Sequence, residues 1–351
     1  MGIAMLKEVF GQLPDGRAAE AYTLTNVNGM KVKITNYGGA VMQIMVPDRE
    51  GRVADVVCGY DSLEDYRLGS GYQGALIGRW GNRIGGARFM LDGVEYRVSM
   101  NDGKNSLHGG FHGFNEKLWQ AETVNGSLVL TTNSPDGEEG FPGNLRVQVT
   151  YTLTDDNRLM LAYEAETDKK TVINLTNHTY FNLGGYASGD ILGHELRLDA
   201  DSYLETDGAL IPTGRLVPVE GTPFDFRTAK PVGRDIAADN HDLKIGGGYD
   251  HCFNFTGGGT DRPVLRGELF DPRTGRAMAL WTDQPCVQLY TGNVMNGPRR
   301  FKGGYPQQKH HALCLETQAM PDSMNHSGFT DAVLAPGQRY TTRTVYAFSV
   351  R

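Results

Sequence analysis

Three stretches of the chain put proton-transferring side chains where a strand would otherwise favour apolar ones. In Ala312-Leu313-Cys314-Leu315-Glu316-Thr317-Gln318, strand alternation sets Ala312, Cys314 and Glu316 on one face, so a carboxylate ends a buried row. A carboxylate removed from water is costly unless it is paired, hydrogen-bonded or functional. In Ile173-Asn174-Leu175-Thr176-Asn177-His178-Thr179-Tyr180-Phe181-Asn182-Leu183, His178 sits among many hydrogen-bonding side chains in an aromatic, β-rich context. In Asn105-Ser106-Leu107-His108-Gly109-Gly110, two glycines follow the histidine. They let backbone approach a ligand closely and hold the imidazole in an irregular turn. Gly248-Tyr249-Asp250-His251 and Val287-Gln288-Leu289-Tyr290-Thr291-Gly292-Asn293 add a further carboxylate and amide. Singly, each has a plainer explanation: a surface turn, a satisfied core histidine, a strand end. Jointly they supply carboxylates, imidazoles and amides, a set suited to hydroxyl recognition and proton transfer.

Other motifs fail on context. Gly69-Ser70-Gly71-Tyr72-Gln73-Gly74 matches a dinucleotide fingerprint, but that motif must follow a strand and open a helix. The polar Asp61–Leu68 precedes it, and the glycine-rich Gly78–Gly86 follows. The chain has no P-loop, G-x-S-x-G elbow, EF-hand loop or HExxH. His310-His311-x-x-Cys314 has no second ligand pair nearby, and on an alternating strand its histidine and cysteine face opposite ways. No metal and no cofactor are expected.

The elements that must position these residues are strands. Leu145, Val147, Val149, Tyr151 and Leu153 alternate with Arg146, Gln148, Thr150, Thr152 and Thr154, the pattern of a strand with one wet face. Asp155-Asp156-Asn157 turns the chain into a returning strand over Arg158–Glu166. Asp92-Gly93 and Asn125-Gly126 predict type I′ hairpins, and Asp271–Gly275 divides Leu265–Phe270 from Ala277–Trp281. Further strands are expected at Lys31–Asn36, Thr171–Asn177, Glu195–Leu198, His311–Glu316 and Thr342–Val350. Helix signals are few: Ser62 can cap a short helix through Tyr66 with Asp65 as its capping-box partner, and Arg234–Asn240 reads as another turn or two. With no repeat and no linker, residues 1–351 read as one large all-β domain, an antiparallel sandwich.

Composition excludes several classes. The chain has 351 residues, with Lys+Arg 34 against Asp+Glu 41 for a net charge of −7, which argues against a nucleic-acid or anionic-membrane binder. Glycine, at 46 of 351, is nearly twice its usual share and points to tight turns. No segment is apolar for long enough to span a membrane. The start lacks a signal-peptide pattern, so a cytoplasmic location is expected. The 4 scattered cysteines form no CxxC pair and read as reduced, buried thiols.

Taken in order, the motifs resemble those of the aldose 1-epimerases, also called galactose mutarotases. They are Asn36-Tyr37-Gly38-Gly39, Gly78-Arg79-Trp80-Gly81-Asn82-Arg83-Ile84, Asn105-x-Leu107-His108-Gly109-Gly110 and Thr176-Asn177-His178-Thr179-Tyr180-Phe181-Asn182-Leu183. Asp250-His251, Gln288-x-Tyr290-Thr291-Gly292-Asn293, Leu315-Glu316-Thr317-Gln318 and Pro336-Gly337 follow. Trp80 departs from the smaller aliphatic residue common in the family and bears on packing behind Arg83. The resemblance implies a β-sandwich of the mutarotase type with a sugar cleft on one face. It also implies interconversion of the anomers of a free hexose such as galactose or glucose. By position, Glu316 is the general base, His178 the general acid and His108 an assistant at the reacting end. Asn82, Arg83, Tyr180, Asp250 and Gln288 would bind hydroxyls or orient the pair, Arg83 and Asp250 lying close together.

The chemistry fits these residue types. Anomer exchange opens the hemiacetal, a base taking the C1 hydroxyl proton while an acid protonates the ring oxygen; rotation and reclosure follow. An ionised Glu and a protonated His can do this and exchange roles. The expected partner is a free monosaccharide, with the protein a monomer or homodimer. Two rivals stand. An epimerase of phosphorylated hexoses needs converging basic groups, and Arg299-Arg300-x-Lys302, the only dense basic group, reads as a solvated loop. A non-catalytic sugar-binding module would need no matched acid and base.

Overall fold

A computed structural model describes residues 3–351. The Leu145–Leu153 alternation sets the pattern for the whole architecture: its apolar residues are buried and its polar ones half-buried or exposed. Each such buried Leu, Val or Tyr contributes about 1.5–3 kcal/mol by leaving water. The strand lies in a nine-stranded antiparallel sheet, flanked by Ser127–Ser134 and Arg158–Thr167, with Tyr340–Val350, Arg276–Thr282 and Val264–Phe270 beyond. A five-stranded sheet takes consecutive strands from Ala4–Gln12 to Val53–Asp55. A second five-stranded sheet runs Pro212–Pro218, Ala200–Thr206, Asp250–Phe255, Cys286–Tyr290, Cys314–Gln318. The inward rows of all three meet in one apolar core reaching from Tyr22 to Phe348, and the fold is an all-β antiparallel sandwich.

The expected hairpins form. Asp92 and Gly93, at φ 50° and 81°, and Asn125 and Gly126, also at 50° and 81°, are left-handed as a type I′ turn requires. The short helix is Leu63–Leu68, with the Ser62 side chain accepting from the Asp65 amide. Three expectations need correction. Thr171–Asn177 is not one strand: Thr171–Val172 pairs with Val333–Leu334, whereas Thr176–Asn177 pairs with Leu76–Ile77. Its buried asparagines spend their side chains on neighbouring backbone, Asn174 Nδ2 donating to Gly81 O at 3.1 Å and Asn177 Nδ2 to Gly74 O at 2.8 Å. Arg234–Asn240 is turns and bends; the second helix is His241–Gly246, because the Asn240 side chain caps its amides and Gly247, at φ 66°, ends it. The strand expected at His311–Glu316 is Cys314–Gln318, since the His311 ring is drawn aside to the Tyr186 carbonyl at 2.6 Å.

Among the described residues, no helix is long and apolar enough to cross a membrane. All four cysteines are buried and free.

Candidate active site

Three adjacent strands carry one polar face. In antiparallel register Gln288 lies opposite Glu316, and Tyr290 lies opposite both Cys314 and Asp250. The face therefore presents Asp250, Gln288, Tyr290, Cys314 and Glu316 together. Gln288 Nε2 donates to Asp250 Oδ1 at 2.7 Å. Glu316 Oε2 and Gln288 Oε1 are buried with no hydrogen-bond partner in the protein. Such atoms cost free energy unless a ligand satisfies them.

His178 reaches this face from outside the sheet. Its backbone is clasped by residues 74 and 75, His178 N donating to Ala75 O and Gly74 N to His178 O, both at 2.9 Å. The imidazole Nε2 then lies 3.6 Å from Glu316 Oε1, with both side chains under a tenth exposed. Nδ1 meets Cys314 Sγ at 3.3 Å. Tyr180 stacks on the ring at 4.9 Å and Tyr72 at 5.8 Å.

His108 arrives through a third connection. Arg83–Ile84 pairs with Ser106–Leu107, and Asn82 and His108, both left-handed at φ 66° and 52°, clasp each other beside it. His108 N donates to Asn82 O, and Asn82 N to His108 Nδ1, each at 3.1 Å. The His108 ring sits 5.3 Å from His178, edge to face. Gly109 serves a different purpose from the one expected. A Cβ there would fall 2.0 Å from the Gly78 carbonyl, so the close approach is to the chain's own backbone. Arg83 Nε donates to Asp102 Oδ2 at 2.7 Å, and Trp80 packs behind it with Nε1 on the Arg83 carbonyl at 3.2 Å.

Burial dominates the electrostatics. It pushes the Glu316 carboxyl well above the usual carboxylate range, Asp250 adding to the effect and Arg83 opposing it. Burial also raises Asp250, against Arg83 and the Gln288 hydrogen bond, so Arg83 lies close enough to act on both carboxyls. His178 is pulled down to about 4, chiefly by burial. His108 goes well below the imidazole value by burial, with His178 and Arg83 adding. Burial therefore favours the neutral pair, with the proton on the carboxyl, over an ionised Glu316 beside a protonated His178. Once the proton does move to the imidazole, the carboxylate is a stronger base and the imidazolium a stronger acid than the same groups in water.

The eight residues singled out in the sequence thus gather in one region, although Asn82 acts on its neighbours through its backbone and its Oδ1, which accepts from Arg83 N at 2.8 Å. Tyr72 was missed; its only sequence signal is an aromatic among glycines, and the fold holds it left-handed at φ 56°. His108, His178 and Glu316 each offer a ligand atom within 4.8 Å of the others, the one group of this kind among the described residues. A metal there would have to take His108 through Nε2, moving the ring proton onto the nitrogen that now accepts from Asn82. Arg299 and Lys302 do not converge on the site: Arg299 Nη1 pairs with Asp65 at 2.8 Å and Lys302 Nζ with Asp55 at 2.5 Å. Lys302 is also half-buried, not the solvated charge expected, and its ammonium further serves the Met42 and Val57 carbonyls.

A family model described as aldose 1-epimerase matches residues 20–347. The chain is 40% identical to galactose mutarotase of Rattus norvegicus over 348 residues, 99% of each chain. It is 38% identical to aldose 1-epimerase of Escherichia coli (strain K12), over 98% of this chain and 99% of that one. Its fold superimposes on the crystal structure of galactose 1-epimerase from Lactobacillus acidophilus NCFM with a TM-score of 0.87, at 27% identity and 99% coverage of both.

Proposed function

Since the chain belongs to the aldose 1-epimerase family and is an isomerase with mutarotase activity, we propose that Glu316 and His178 are the base and acid that open and reclose the sugar ring. The observation that carries this is the 3.6 Å approach of His178 Nε2 to Glu316 Oε1 beside a buried, unpartnered Oε2. The Glu316 carboxylate takes the C1 hydroxyl proton as His178 Nε2–H protonates the ring oxygen and the C1–O5 bond breaks. The aldehyde rotates about C1–C2. The O5 hydroxyl then attacks the other carbonyl face, its proton returning to His178 while Glu316 protonates the carbonyl oxygen. No net proton or electron is consumed.

In this reading the substrate is a free aldohexose such as galactose or glucose. Tyr180 is the apolar wall behind His178, and Gln288 Oε1, Asp250 and Arg83 hold hydroxyls by hydrogen bonds, the last two charge-assisted. Asn82 sets the His108 ring, and His108 steadies an oxygen at the reacting end. The pairing of Arg299 and Lys302 with aspartates speaks against a phosphate subsite. Residues 1–351 are read as one domain on the strength of the shared core, and the buried free thiols support a reducing, cytoplasmic setting.

His178→Asn is expected to cut turnover by roughly 100-fold or more while the protein stays folded. Polarimetry of freshly dissolved α-galactose and α-glucose, corrected for the spontaneous rate, measures it. Near-normal turnover would overturn the assignment.

A further inference from the structure

The two neighbouring imidazoles differ in what their Nδ1 atoms meet. His108 Nδ1 accepts the backbone N–H of Asn82 at 3.1 Å. An amide proton does not transfer, so the neutral His108 ring carries its own proton on Nε2. His178 Nδ1 instead meets a thiol, Cys314 Sγ, at 3.3 Å. A thiol can donate or accept. Burial keeps this one protonated, pushing it well above its ordinary range, and it packs in an apolar cluster with Cys58, Tyr180 and Ala312.

We propose that Cys314 is a positioning residue whose sulfur accepts the Nδ1–H of His178, leaving Nε2 free to release and recover the proton. This rests on the reading of His178 as the acid. Were the thiol the donor, neutral His178 would hold its proton on Nε2 and could be recharged only at Nδ1, which faces the apolar cluster. With Nδ1–H on sulfur, Nε2 faces Glu316 at 3.6 Å, and the proton moves among Nε2, the carboxylate and the sugar alone. The arrangement has the logic of a histidine oriented through Nδ1 by a third group. A neutral sulfur is a weaker acceptor than a carboxylate, so it fixes the ring without making the imidazolium a poor acid. His108 becomes a fixed Nε2–H donor, and His178 the shuttle.

The experiment is 15N-histidine NMR of the full-length protein near neutral pH, combined with steady-state kinetics of Cys314→Ala, Cys314→Val and Cys314→Ser. In wild type, His178 is expected to show a protonated Nδ1 and a bare Nε2, with His108 the reverse. Cys314→Ala and Cys314→Val should lower kcat roughly tenfold with KM unchanged, the effect of one neutral hydrogen bond, and shift His178 toward the Nε2–H tautomer. Cys314→Ser, which restores an acceptor, should recover most of both. A wild-type His178 protonated on Nε2, or an alanine variant with native tautomer and native kcat, overturns the proposal; so does a folded serine variant as slow as alanine. The spectra are read without substrate. Normal turnover in His178→Asn would thus defeat the acid assignment, whereas the wrong wild-type tautomer would defeat the role given to Cys314.

Discussion

Glu316→Gln separates a catalytic carboxylate from a structural one, because the two roles predict opposite changes in stability. Glutamine keeps the volume of a side chain that is 2% exposed in the core of a sheet. It removes the base, and a positioned acid–base group is worth about 10²–10⁴ in rate, or about 2.7–5.4 kcal/mol of barrier. Stability should move the other way. The folded-state value of this carboxyl is raised by burial and by Asp250, so folding favours its protonated form. That preference is intact below the unfolded value of about 4.3 and is lost as pH rises through the folded value. Wild type therefore carries a penalty at neutral pH from which the amide is free. The variant's Tm should match wild type at acid pH and exceed it by a widening margin as pH rises. Polarimetry gives the rate and calorimetry at a series of pH values gives the Tm. A fast variant would refute the reasoning, and so would a slow one whose Tm falls at neutral pH, since Glu316 would then be holding the fold.

Three further outcomes follow from the same geometry. The pH profile of kcat/KM, which reports the free enzyme, should be a bell whose acid limb, near pH 4, belongs to His178 and whose alkaline limb, above the ordinary carboxylate range, belongs to Glu316. Repeating it at two temperatures should move the acid limb as imidazole ionisation moves and leave the alkaline limb nearly fixed; the reverse would refute the order. Asp250→Asn removes a negative neighbour that raises Glu316, so the alkaline limb should shift to lower pH. Loss of a charge-assisted contact should also raise KM about tenfold, and an unmoved limb would show that the two carboxyls do not communicate. Lys302→Met should destabilise the fold by about 3–5 kcal/mol in chemical denaturation, since it leaves Asp55 buried without its cation. A loss under about 1 kcal/mol would mean the pair is solvated.

The strands were largely legible because a half-buried strand writes its own period: the alternation over Leu145–Leu153 and the Asp-Gly and Asn-Gly turns are local signals, and the hairpins follow from them. Thr171–Asn177 was misread for a corresponding reason. Its asparagines satisfy backbone groups of distant segments, such as the Gly74 and Gly81 carbonyls, and no local pattern announces a partner about a hundred residues away. Lys302 looked solvated because its burial depends on Asp55, which lies far off in the chain.

The site divides along the same line. Residue type and motif order in the sequence alone marked His108, His178, Asp250, Gln288 and Glu316 as chemistry-bearing, because such side chains are out of place in apolar strand patterns. Their meeting was decided by tertiary structure. Sheet pairing put Gln288 opposite Glu316, a backbone clasp to residues 74 and 75 aimed His178, and packing brought in Tyr72 and Cys314. The strength of an acid or base is likewise not a property of residue type alone. It is set by the water each group loses and the charges it gains, and both exist only once the chain has closed around them.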